Sequence, residues 1–127
     1  MLVNNSLFHL YTEKISSLPE HISKKNLLRP DFLLEKENGM EISYGPFDYL
    51  NPEAKIVKVG ITPGWSQMML SYAQARDSLR QGNSAEEICY QAKKQASLAG
   101  PIRVNMIRMM DEIGISQKLG LVSSQQY

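Results

Sequence analysis

The stretch Gly60-Ile61-Thr62-Pro63-Gly64 is the part of this sequence best suited to holding a ligand. It follows the β-branched run Lys55-Ile56-Val57-Lys58-Val59 and precedes Trp65 and a helical pattern that starts at Gln67. A glycine at a strand end lets the backbone turn sharply, Pro63 fixes φ, and Gly64 lets the chain approach a bound group closely. The following helix offers unpaired N–H groups and the positive end of its dipole, which suits phosphate or carboxylate. Open α/β sheets bind ligands at this position, outside the carboxyl ends of their strands. Many strand-to-helix junctions use Gly and Pro only to turn, and that reading stands beside the ligand reading. The stretch is not a Walker A loop, for no Gly-Lys-Ser/Thr follows. The spacing of a dinucleotide fingerprint is absent too.

Elsewhere the chemistry is sparse. Cys89 is the single cysteine, which excludes an internal disulfide framework and a Cys-rich zinc site. It sits mid-helix without a neighbouring His and reads as a small buried apolar group. Asp111-Glu112 reads as a solvated carboxylate pair, and the methionines at 68–69 and 106–110 read as core filling, so no metal is expected. Lys24, Lys25 and Arg29 lie in a connector, either solvated or touching phosphate. The 127 residues carry 43% hydrophobic and 21% charged side chains with a formal charge of +1, so bulk charge does not drive binding. No apolar run reaches the 18 or so residues of a membrane span. The N-terminus has no signal-peptide pattern, so the expected location is a reducing cytoplasm.

The elements that must position the turn follow from periodicity. Residues 1–30 read as an N-terminal helix and connector, with Leu7, Leu10, Tyr11, Ile15 and Leu18 on one face. Residues 31–127 read as one α/β domain. Asn38-Gly39 between Phe32-Leu33-Leu34 and Met40, Ile42 and Tyr44 predicts a hairpin. Lys55–Val59 predicts an inner strand of a parallel sheet. Three helices follow: Gln67–Arg80, one opened by the capping box Ser84-Ala85-Glu86-Glu87, and Ile102–Ile113 burying Ile102, Met106, Met109 or Met110, and Ile113.

The run Lys55–Gly64 resembles the first motif of the uracil-DNA glycosylase superfamily, most nearly the G-I-N-P-G form of its mismatch-specific branch, with Thr62 in place of Asn. Tyr44-Gly-Pro-Phe-Asp-Tyr-Leu-Asn51 and Ala96–Gly114 extend the resemblance, which covers roughly residues 31–121. It implies an incomplete three-layer glycosylase-like α/β sandwich with a mostly parallel sheet. By the same resemblance Thr62 is the catalytic position, holding water against the sugar C1′. A hydroxyl can hold that water but cannot act as a base near neutral pH. Gly60, Ile61, Pro63, Gly64, Trp65 and Gln67 become the DNA- or phosphate-binding set. Tyr44 and Phe47 become candidates to stack on an extruded base, and Trp65 either faces DNA or lids the first helix.

Two features depart from that family. Its second motif carries a His near the C-terminal end, whereas His9 and His21 here both precede the first motif. Its base-reading Asn lies on a strand after the helices, and no such strand is visible. The chain therefore reads as the N-terminal half of a glycosylase-like domain. The implied activity is metal-free and cofactor-free hydrolysis of the N-glycosidic bond of a uracil-like base. The implied partners are single-stranded or mismatched duplex DNA and a C-terminal half or partner chain, with no membrane. The alternatives are a truncated non-catalytic DNA- or nucleotide-binding relative, and an unrelated α/β domain binding a phosphorylated ligand.

Overall fold

Helix α1, Phe8–Ser16, buries Phe8, Tyr11 and Ile15, and the turn after it buries Leu18. That i, i+3, i+7 stripe is what a helix lying on a core requires. It is rotated from the expected face, for Leu7 and Leu10 point to solvent and Phe8 takes their place. The structure is a computed structural model, and it describes residues 1–97 and 99–126. It divides into two compact units, Met1–Ala96 and Ser97–Tyr127.

In the first unit α1 is followed by the short helix α2, Lys24–Leu27, and a 3-10 turn, Pro30–Phe32. Strands β1, Leu33–Glu37, and β2, Met40–Ser43, form the predicted hairpin, antiparallel, with Glu37 opposite Met40. Asn38 and Gly39 turn it with φ of 51° and 78°, the pair of positive values that a two-residue hairpin loop needs. Helix α3, Trp65–Arg80, and helix α4, Ala85–Ala96, complete the unit. The Ser84 hydroxyl accepts the Glu87 N–H at 3.3 Å, the capping bond expected at the start of α4.

The core is an aromatic cluster. Tyr11 and Tyr44 stack with ring centroids 4.0 Å apart, and Phe32 meets Tyr72 edge-on at 5.0 Å. Burying tyrosines requires partners for their hydroxyls. Tyr72 Oη donates to the Tyr44 carbonyl at 2.5 Å, and Tyr44 Oη donates to Asp48 Oδ2 at 2.7 Å. Burial, reinforced at Tyr44 by the Asp48 carboxylate, pushes both phenols well above their ordinary range, so they remain donors. Asp48 Oδ1 accepts the Leu7 N–H at 2.9 Å, so this carboxylate anchors the start of α1 from forty-one residues away.

The far end of α1 is held by α3. Arg76, only 2% exposed, donates through Nη1 to the carbonyls of Pro19 and Glu20. Its Nε donates to Asp77 at 2.8 Å. Arg80 donates to the carbonyls of Ser16 and Leu18 at 3.1 and 3.0 Å. Two guanidinium groups thus satisfy the last carbonyl of α1, that of Ser16, and three carbonyls of the segment that follows it.

The second unit comprises α5, Pro101–Glu112, α6, Ile115–Lys118, and a 3-10 turn, Ser124–Gln126. Asp111 joins them by accepting the Ser124 N–H at 2.6 Å and the Ser123 hydroxyl at 2.8 Å. The bonds from Ser124, then that from Ser123, hold its carboxyl down at about 2. Asp111 is therefore a tether rather than the solvated carboxylate expected. Helix α5 buries none of its residues, and Ile102, Met109 and Ile113 are exposed.

The three-layer, mostly parallel sandwich is not the architecture. Among the described residues there are six α-helices and one sheet, the antiparallel β1–β2 hairpin. The predicted inner strand Lys55–Val59 is irregular and joins no strand. β-Branched residues favour a strand only when a pleated neighbour supplies the ladder and the packing. Here none does, since β1 and β2 pair with each other.

Replacing Tyr72 with Phe tests the core network. It leaves the buried Tyr44 carbonyl without its donor and should lower unit stability by about 1–3 kcal/mol in urea unfolding. An unchanged midpoint would show that the bond contributes nothing net.

Candidate functional site

Helix α3 begins at Trp65, two residues earlier than periodicity predicts, with Gly64 as its N-cap. Gly64 has no side chain to cap the helix, and Gln67 acts instead. Its Oε1 accepts the Gly64 N–H at 2.9 Å, and its Nε2 donates to the Ala96 carbonyl at 3.3 Å. Gln67 therefore pins the start of α3 to the end of α4. It is engaged in holding the site rather than presented to a ligand.

Residues 60–64 are all exposed, and Ile61 is 101% exposed. Gly64 has φ −71° and ψ 170°, a conformation open to any residue, and an added Cβ would meet only Gln67 Oε1 at 3.8 Å. A Cβ on Gly60 would meet nothing within 4 Å. The free chain thus makes no demand for glycine at either position. The space beside both glycines is open to solvent.

Trp65 is half-buried against the core, and the Lys24 ammonium lies 5.9 Å from its ring centroid. This cation–π contact brings the basic connector to the start of α3, next to the exposed turn. The spacing of forty-one residues hid it from sequence reasoning. The sequence leaves the connector either solvated or phosphate-touching, and only the fold sets Lys24 beside the helix N-terminus.

The remaining predicted site residues are scattered. Thr62 is exposed, so its hydroxyl faces bulk water. Holding one water for attack on a sugar requires a walled, dry site, and the described residues put no wall around it. Tyr44 is buried, with its ring on Tyr11 and its hydroxyl on Asp48, and is thereby committed to the core. Phe47 is half-buried in the loop that Asp48 anchors. Among the described residues no cluster of His, Cys, Asp and Glu could hold a metal ion. No helix of the described residues is long and apolar enough to cross a membrane.

No protein-family model matches the chain, and no solved structure does. The chain is similar to the uncharacterized protein YoxB of Bacillus subtilis (strain 168). The two are 38% identical over 125 residues, which is 98% of this chain and 49% of YoxB. The chain thus spans about half the length of the curated relative it matches.

Cys89 is the one thiol nucleophile the sequence offers, and the fold disarms it. It is buried on α4, and burial, then the nearby Asp48 charge, pushes its thiol up to about 12. Only the thiolate reacts. Native protein at pH 8 should therefore resist iodoacetamide, while protein unfolded in guanidinium should be alkylated fully. Rapid labelling of the native chain, read by mass spectrometry, would mean that α4 opens readily.

Proposed function

We propose that the chain is a DNA-binding module of a base-excision-type protein, gripping the phosphate backbone with residues 60–65 and Lys24. Single-stranded or mismatched duplex DNA is the partner, and the chain alone does not hydrolyse the glycosidic bond. The observation that carries this reading is the juxtaposition at the start of α3. There a lysine, an indole and a helix N-terminus adjoin a fully exposed glycine-proline turn whose glycines the fold does not itself require. Backbone N–H groups and one ammonium suit a phosphate, and a ring edge beside them suits a base or sugar. The resemblance of residues 55–64 to the glycosylase first motif supports the choice of DNA over other phosphate ligands. The open surroundings of Thr62 support binding without turnover.

Fluorescence anisotropy with a uracil-containing single strand and a G·U-mismatched duplex tests the proposal. Binding should weaken as salt rises, and Lys24→Ala should flatten the log–log salt slope by about 0.7–0.9, the share of one phosphate contact. Gly64→Val should weaken binding while circular dichroism and melting stay near those of the parent chain. An abasic-site cleavage assay should remain silent. Absence of binding at low salt, or equal binding by both variants, would sink the proposal.

A further inference from the structure

Another pairing of lysine with aromatic ring lies on α4, outside the residues that the candidate site gathers. Tyr49 and Tyr90 meet with ring centroids 5.0 Å apart at 58°, and the Lys94 ammonium lies 5.5 Å from the Tyr90 centroid. Both rings are half-buried and Lys94 is exposed, so part of each ring and the charge face solvent. The arrangement is set in advance, which lowers the cost of ordering it on binding. Tyr49 follows the buried Asp48, and its carbonyl accepts a bond from the Lys93 ammonium at 2.7 Å. The acids of α4, Glu86 and Glu87, stand in its first turn, whereas Lys93 and Lys94 stand in its last. That last turn is the one Gln67 ties to the start of α3 through the Ala96 carbonyl. Trp65 with Lys24 and Tyr90 with Lys94 therefore flank one joint. Tyr90 precedes Ala96 by about 9 Å along α4, at 1.5 Å per residue.

We propose that Tyr49, Tyr90 and Lys94 are a second contact for single-stranded DNA, adjoining Trp65 and Lys24, and that these rings set a preference for a single strand over a duplex. Ammonium groups interleaved with ring faces suit a strand whose bases are free, phosphate against lysine and base against ring. A duplex presents its phosphates but keeps its bases stacked and paired, and freeing one costs a few kcal/mol. This inference rests on the DNA-binding reading and narrows its partner to one of the two forms named there.

Fluorescence anisotropy with the intact chain and three probes is the test. The probes are an oligothymidylate of about twelve residues, a strand of equal length built of abasic spacers, and an equally long duplex with one G·U mismatch. The oligothymidylate should bind at least ~10-fold more tightly than either of the others. Tyr90→Leu keeps apolar bulk without the ring. It should weaken oligothymidylate binding by about 5- to 150-fold and leave binding of the spacer strand unchanged. Lys94→Gln, at an exposed position that folding tolerates, should flatten the log–log salt slope on oligothymidylate by about 0.7. Circular dichroism should report parental helix content for both variants. Equal binding of the three probes, or parental oligothymidylate binding by either variant while Lys24→Ala still weakens it, would overturn this proposal alone. Absence of binding to every probe at low salt would overturn it together with the reading on which it rests.

Discussion

Burying the hydroxyl of Tyr72 is permissible only because the Tyr44 carbonyl receives it, and most of the first unit is arranged around that bond. Tyr44 must then sit beneath α3, which places its ring against Tyr11 and its own hydroxyl against Asp48. Asp48 in turn takes the first N–H at the head of α1. A single chain of donors and acceptors therefore runs from α3 through the end of the hairpin and its following loop to α1. Tyr72, Tyr44 and Asp48 are buried, where an unmet polar group is costly, so they specify one another's positions.

This network decides which aromatic residues are committed to the core. Tyr44 is consumed by it, whereas Trp65 lies half-buried at its margin. The Lys24 ammonium occupies the neighbourhood of that ring. Exposed surface thus begins where the core ends, at the first turn of α3, and the glycine-proline turn continues it into solvent.

How much of this was legible in the sequence depends on how local each cause is. Asn38-Gly39 fixes its own hairpin, because both residues tolerate positive φ. Ser84 likewise starts α4 by a bond to Glu87, three residues on. Distant causes left no such trace: Asp48 at the head of α1 and Arg76 and Arg80 at its tail act across forty residues or more. Asp48 and Arg76 are charged residues whose burial only the fold explains. The error over Lys55–Val59 is of another kind. Its β-branched pattern describes what the segment does when a partner strand is present, and a pattern carries no information about whether one is. The same dependence on surroundings applies to Thr62, whose residue type suits water-holding but whose enclosure is not encoded nearby.

The connection through residues 55–61 lies outside every helix and strand of the first unit. Tyr72 to Tyr44, Arg76 to Pro19 and Glu20, Arg80 to Ser16 and Leu18, and Lys93 to Tyr49 all bridge the parts before and after it. The two parts are therefore joined twice, once covalently through an exposed tether and once by contacts that do not involve it. A peptide bond cut within the tether would leave two fragments still joined by those bridging bonds. In the language of chain topology, this is a natural opening point of the fold, where new termini or an inserted sequence cost the packing least.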